Sequence, residues 1–376
     1  MKIAIVHEWL VNYAGSERVV ESFVNIFPEA DVFALVDFLN DEQRKQILKG
    51  KFAITSFIQN LPFASKHHRK YLPLFPKAIE SFDLSKYDLI LSSSHAVTKG
   101  VRKKKNQLHI SYCHSPMRYI WDEAERYFDS ANLNKGIKKL LATKILKYLR
   151  NWDLKTAQLP DYLIANSNFI AEKIKRIYGR NSDVIYPPVD VDKFELHEKK
   201  ADFYLTASRL VPYKKVDLIV EAFSKMPYKK LVVVGSGPES EKIKSRLSSN
   251  IQYLGYQDFA NLKKLMQQAK AFVFAAEEDF GIIVIEAMSC GTPVIALNKG
   301  GTAETVIDNF TGVHFCSQST DEIINAVRRF ESSSENFNPK EISNYAKRFS
   351  RSIFESNIKN YVLSKSEEFF KKNDSK

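Results

Sequence analysis

Ten apolar runs of only four or five residues, five in each half of the chain, constrain the fold more than any other feature. In the first half they fall at 3–6, 32–36, 89–92, 108–112 and 162–165, and in the second at 203–207, 231–234, 251–254, 271–274 and 293–296. Runs this short and this predominantly apolar, interrupted only at Ser92, His109, Ser111, Thr206 and Gln252, are expected of parallel strands buried on both faces. Stretches with helical periodicity lie between them, such as 218–224 and 262–269. Alternation of this kind predicts an α/β protein of two doubly wound, Rossmann-like domains facing a cleft, and 376 residues is enough for two cores. The boundary is expected at Tyr186-Pro187-Pro188, because consecutive prolines continue neither a helix nor a sheet interior. This gives a first domain over 1–185, a linker over 186–201, a second domain over 202–349, and a terminal helix with its tail over 350–376. Ile353, Phe354, Ile358, Tyr361, Val362 and Phe369 form the apolar stripe of that helix, which needs a surface to cover.

Composition narrows the class. At 44% hydrophobic and 27% charged residues, the chain matches an ordinary globular protein rather than a disordered or fibrous one. No run of about eighteen apolar residues occurs, Met1 leads directly into the first strand-like run, and Cys113, Cys290 and Cys316 are odd in number and lack metal-ligand spacing. A cytoplasmic protein is expected. The formal charge is +12, and the first 185 residues hold 29 Lys+Arg against 19 Asp+Glu, which places +10 there. A basic half suits nucleic acid, anionic lipid or a phosphorylated substrate, and equally an ordinary lysine-rich surface.

The segment Glu277-Glu278-Asp279-Phe280-Gly281-Ile282-Ile283-Val284-Ile285-Glu286 follows a strand run, and Gly281 is expected to open a helix reaching Ser289. The first-turn N–H groups of such a helix suit a phosphate. Glu278 and Glu286 can each accept hydrogen bonds from a pair of vicinal hydroxyls, although acidic residues at a helix start also simply complement its dipole. Arg209 and Lys214 follow the first strand of the second half, where two cations can hold a diphosphate or merely face solvent. Glycine loops follow two strands, at Gly15 and at Gly235 and Gly237, without the spaced glycine triplet of a dinucleotide site. His114, at the end of a strand and two residues before Pro116, is a further candidate, structural or functional.

With these residues in hand, the chain resembles glycosyltransferase family 4, retaining enzymes of the GT-B fold, over nearly its whole length. The likeness rests on the glycine turn at 13–19, His114-Ser115-Pro116, Ser208-Arg209-Leu210 with Lys214, Val234-Gly235-Ser236-Gly237-Pro238, the spacing of Glu278 and Glu286, and Gly300-Gly301-Thr302-Ala303-Glu304. It implies that Arg209 and Lys214 stabilise a departing diphosphate, that Glu286 binds the donor ribose, and that Glu278 and His114 contact the transferred sugar. Gly15, Gly235, Gly237, Phe280, Gly281, Ile282 and Ile283 would approach the donor. The terminal helix would cross back to the first domain. No metal or other cofactor is implied, the nucleotide-diphosphate sugar being a substrate.

A finer resemblance, through His114-Ser115-Pro116-Met117-Arg118-Tyr119-Ile120-Trp121-Asp122 and the run Glu277-Glu278-Asp279-Phe280-Gly281, is to mannosyltransferases that build bacterial O-antigen, in lipopolysaccharide synthesis, and other surface polysaccharides. It implies GDP-mannose as donor, a polyprenyl-diphosphate-linked saccharide as acceptor, Arg118, Tyr119 and Trp121 on the acceptor side, and a peripheral position on the inner face of the cytoplasmic membrane. Lys215 departs from the pattern, where many relatives carry glycine. Residues 57–82 mix aromatics with Lys66, His67, His68, Arg69, Lys70 and Lys77, as an interfacial segment would. A UDP-sugar transferase of the same fold is the alternative. A non-catalytic nucleotide-sugar binder and a nucleic-acid-binding protein are more remote, since the only compact basic run is Lys103-Lys104-Lys105.

Overall fold

Burial on both faces explains why the strand runs are continuous rather than alternating. In strand β1 (Ile3–Leu10), Ala4 and Val6 join one apolar cluster while Ile5 and Leu10 join another, and Ile90 is separated in the same way from Leu89 and Leu91. The computed structural model describes residues 1–122 and 136–374. Residues 375 and 376 of the polar tail lie outside the described residues. The chain divides into two units, Met1–Pro188 with Phe354–Lys376, and Val189–Ile353.

The first unit carries β1, β2 (Asp31–Asp37), β3 (Ile54–Thr55), β4 (Leu89–Ser94), β5 (Leu108–Cys113), β6 (Tyr162–Ala165) and β7 (Asp183–Val184), in the sheet order β3-β2-β1-β4-β5-β6-β7. Every pairing in it is parallel. The second carries β8 (Tyr204–Ala207), β9 (Leu231–Val234), β10 (Ile251–Gly255), β11 (Ala271–Phe274), β12 (Val294–Leu297) and β13 (Gly312–Phe315), in the order β10-β9-β8-β11-β12-β13, also all parallel. The strand order reverses between β1 and β4 in one sheet and between β8 and β11 in the other. In open α/β sheets, the carboxyl ends at such reversals are where ligands bind.

All ten sequence runs lie in these strands, with shifts of a few residues at their ends. Three strands were not foreseen: β3 and β7 have two residues each, and β13 contains Gly312 and His314. Strand β1 runs four residues beyond its apolar start, through His7 and Glu8, both fully buried. Residues 189–201, read as linker, group with the second unit, where Val189, Val191 and Phe194 are buried.

The helix Arg351–Asp374 buries Phe354, Ile358 and Val362, spaced one helical turn apart, in the first unit's core. Phe354 lies 5.7 Å from the Tyr112 ring and 6.3 Å from that of Phe23. Each such side chain contributes roughly 1.5–3 kcal/mol by leaving water. Residues 57–82 form short helical turns, on which Lys66, His67, Arg69, Lys70 and Lys77 are exposed while other members of the stretch turn inward. His68 is buried against Trp9, and Ile58, Phe75 and Ile79 are core residues, leaving Phe57, Phe63 and Leu74 exposed.

Candidate functional site

In the second unit, the loops after β8 and β11 flank the reversal of strand order. Arg209 follows β8 directly; its side chain is exposed, with no hydrogen-bond or ion-pair partner among the described residues. Five residues on, Lys214 ends a short turn, Pro212–Lys214, and pairs with the Glu278 carboxylate from the loop after β11. Its ammonium also lies 5.3 Å from the Tyr213 ring centroid and 5.6 Å from that of Phe274. Both members of the pair are about one-sixth exposed, so the pair is shielded yet reachable. A cation of this kind, held over two aromatic faces, is attracted by both rings.

Glu278 is positioned through its backbone. The Gly301 N–H donates to its carbonyl at 2.8 Å, and Gly300 forms a parallel bridge with it. Gly300 has φ +70°, and a Cβ there would lie 2.3 Å from the Glu278 oxygen, so only glycine permits this approach. Residues 300–301 therefore act as a clamp on the loop bearing Glu278, a role the sequence signals only through the adjacent glycines.

Gly281, at φ +86°, precedes the helix Ile282–Ser289. The helix starts where the sequence placed it, and the N–H groups of Ile282 and Ile283 belong to its unpaired first turn. Glu286 lies on this helix and is nearly buried. Phe280 is buried and packs 5.7 Å from the Phe349 ring. Gly235 and Gly237 have a reason for being glycine that does not involve a ligand: a Cβ at 235 would lie 1.8 Å from the Ser208 carbonyl oxygen, and one at 237 would lie 2.3 Å from that of Leu210. They let the loop after β9 close against the loop bearing Arg209.

Lys215 sits at φ +55°, the left-handed conformation that favours glycine, and precedes the helix Val216–Ser224. Lys215→Gly is expected to relieve that strain and raise stability by about 0.5–1 kcal/mol, part of the gain being offset by the freer unfolded chain. Urea denaturation of the variant checks this, and a loss of stability would contradict it.

In the first unit, Gly15 begins the helix Gly15–Ile26 after β1, and His114 follows β5. The His114 Nε2 lies 2.8 Å from the Ser93 hydroxyl, while Ser93 lies 3.2 Å from Nδ1 of His7 on β1. Burial, with His95 and His7 nearby, holds the His114 ring well below the usual histidine range, so it is neutral. Beside it, Glu8 is fully buried and its Oε1 accepts the backbone N–H groups of His95, Ala96, Val97 and Thr98, the shortest at 2.6 Å. None of His7, Glu8, Glu17, Ser93 or His95 was singled out from the sequence. Their polarity in and after an apolar strand was the available signal.

The acceptor-side candidates divide. The Trp121 indole N–H donates to Asp153 at 2.7 Å, and the same buried carboxylate accepts from Tyr178 at 2.8 Å and pairs with Lys99. Trp121 thus spends its polar edge inside the unit and anchors the turn Arg118–Trp121, with Arg150 stacked 5.3 Å over its ring. Arg118 and Tyr119 on that turn are half-buried.

Residues 13–193 match the sequence profile described as Glycosyltransferase Family 4, and residues 190–349 match that described as Glycosyl transferases group 1. The D-inositol 3-phosphate glycosyltransferase of Mycobacterium avium (strain 104) is 28% identical over 193 residues, 44% of this chain and 45% of that protein. The chain thus spans less than half the length of the curated relatives it matches. Anabaena Alr3699/HepE, solved in complex with UDP, superposes over 97% of this chain and 100% of its own at a TM-score of 0.69 and 18% identity. Sucrose-phosphate synthase from Thermosynechococcus elongatus superposes over 97% of this chain and 99% of its own, at 0.73 and 17% identity. Structural likeness at such low identity establishes the fold, two parallel-sheet α/β domains of GT-B type.

Proposed function

The chain belongs to glycosyltransferase family 4, and on that premise we propose that it transfers a hexose from a nucleotide-diphosphate donor with retention and without a metal. The observation that carries this reading is the Lys214–Glu278 pair, on the same loops as exposed Arg209 and the helix start at Gly281, where the strand order reverses. Arg209 and Lys214 supply positive charge for the diphosphate as it departs, which is where a preorganised site gains most. Glu286 holds the ribose hydroxyls, and Glu278 and His114 hold those of the sugar. The bond between the anomeric carbon and the phosphate oxygen breaks, the acceptor oxygen bonds to that carbon on the same face, and the acceptor proton passes to the departing phosphate.

Mannose from GDP-mannose is the donor we propose, on the likeness of residues 114–122, and a lipid-linked saccharide of bacterial surface polysaccharide is the acceptor. A position at the inner face of the cytoplasmic membrane is supported by the helix Gly136–Thr156, which exposes Leu140, Leu141 and Tyr148 among Lys138, Lys139, Lys144 and Lys147, and by the exposed Phe63. No helix among the described residues is long and apolar enough to cross a membrane. A UDP-sugar donor is the second reading, favoured by the UDP bound to HepE.

Thermal-shift titration with GDP, GDP-mannose, UDP and UDP-glucose tests the donor, because a ligand of the native state raises its melting temperature. A shift confined to the guanine nucleotides is expected; one confined to the uracil nucleotides would replace mannose, and none at all would overturn the donor site. Transfer is also expected to persist in EDTA. Its loss on chelation and return with manganese would refute the metal-free reaction.

A further inference from the structure

Four side chains from four separate places in the sequence lie in a row at the carboxyl edge of the first unit's sheet, three of them joined by hydrogen bonds and the fourth, Glu17, facing the end of the row. Glu17 Oε1, from the first turn of the helix after β1, lies 3.7 Å from His7 Nε2, beyond hydrogen-bond distance but facing a nitrogen that has no hydrogen-bond partner among the described residues. The other nitrogen of His7, Nδ1, lies 3.2 Å from the Ser93 hydroxyl, which in turn lies 2.8 Å from His114 Nε2. Glu17, His7 and Ser93 are all buried, at 2%, 0% and 0% exposure. The second nitrogen of His114, Nδ1, has no protein partner among the described residues.

A hydroxyl between two imidazole nitrogens donates its one proton to one and accepts from the other, so the line has two proton arrangements. Glu17 selects between them. Its Oε2 accepts from the Ala14 N–H at 3.2 Å and from the Ser16 hydroxyl at 3.0 Å, contacts suited to an ionised carboxylate. Burial pushes its pKa up, but the His7 contact and its other interactions bring it below the ordinary value. A carboxylate facing His7 Nε2 favours a proton on that nitrogen and repels a lone pair there. His7 Nδ1 then accepts from Ser93, and the Ser93 oxygen accepts from Nε2–H of His114.

We propose that Glu17, His7 and Ser93 are positioning residues that order these protons, hold His114 as its Nε2–H tautomer, and present its Nδ1 as an acceptor for a substrate hydroxyl. The acceptor role rests on the proposed contact between His114 and the sugar; the tautomer does not. In the reversed arrangement His114 would offer Nδ1–H and would instead seek an acceptor. A second-sphere partner commonly fixes which imidazole nitrogen carries the proton.

Long-range proton–nitrogen NMR of the ligand-free full chain, labelled at its eight histidines and assigned with His114→Gln, reads the tautomer directly. The expected spectrum has His114 protonated at Nε2 and unprotonated at Nδ1. In Glu17→Gln, whose amide both donates and accepts, the nitrogen shifts of His7 and His114 are expected to move toward a mixture. In Glu17→Lys, if it folds, they are expected to reverse. A wild-type His114 carrying Nδ1–H, or unmoved shifts in Glu17→Gln, would overturn the proposal. In a transfer assay Glu17→Gln is expected to lower kcat/KM about fivefold to tenfold, the size of one neutral hydrogen bond. An unchanged rate in a variant whose tautomer has shifted would overturn the acceptor role. Failure of the wild-type chain to transfer any sugar would instead sink the proposed function and leave the tautomer result standing.

Discussion

Lys214→Ala is expected to slow sugar transfer at least about a hundredfold while leaving the protein folded, since fixed charges aimed at a developing anion have effects of that order. The folded state tolerates the change because the pair lies in loops after β8 and β11 rather than in the core. Removing the lysine leaves the Glu278 carboxylate without its cation, so a moderate loss of stability is expected as well. Glu278→Gln separates the two contributions: it keeps two hydrogen-bonding positions but removes the charge. If the pair were only a structural tie, Lys214→Ala combined with Glu278→Ala would restore most of the turnover lost in either single variant. Steady-state kinetics with thermal melts of the wild type, Lys214→Ala, Glu278→Ala, Glu278→Gln and the double variant decides this, and near-normal turnover of Lys214→Ala would exclude the lysine from the reaction.

Acidification from pH 7 to pH 5 is expected to destabilise the first unit by several kcal/mol. Burial lowers His95 and His109 to about 3, and burial with Arg69 nearby lowers His68 to about 4. In the unfolded chain each histidine titrates near 6.5. Between pH 6.5 and about 4 the unfolded state therefore binds protons that the native state refuses, so stability is full above 6.5 and falls as pH falls through this window. Three such groups give a slope of about 4 kcal/mol per pH unit near pH 5. His114, held well below its ordinary value, acts in the same direction. Trp9, Trp121 and Trp152 all lie in the first unit, so tryptophan fluorescence reports its unfolding selectively. His68→Gln and His95→Gln are expected to flatten the pH dependence. A denaturation midpoint unchanged between pH 7 and pH 5 would refute this account.

Much of this protein can be read along the chain. Strand β9, Leu231–Val234, and strand β11, Ala271–Phe274, carry their assignment in four consecutive apolar residues. The helix Ile282–Ser289 was legible from Gly281 and the apolar run behind it, and the stripe of Phe354, Ile358 and Val362 announced a covering helix without saying what it covers. Arg209, Lys214 and Glu278 could be singled out because charged residues just after apolar runs fall at the carboxyl ends of parallel strands. Their pairing could not: Lys214 and Glu278 meet only because β8 and β11 are neighbours in the sheet, with β9 and β10 on the far side of β8.

The sequence by itself determined the two-sheet α/β architecture and the loops in which charge gathers, since run length and spacing are local properties set by burial on two faces. Only the tertiary structure decided which polar residues are core. His7 and Glu8 lie just past the apolar run 3–6, yet strand pairing sets His7 against Ser93, 86 residues away, and folds residues 95–98 around the Glu8 carboxylate. His68, in a basic surface-like stretch, is drawn beneath Trp9, and Trp121 turns its N–H inward to Asp153. A polar side chain leaves water only where distant segments supply its partners, and those partners are fixed by the strand order rather than by any neighbour in the chain.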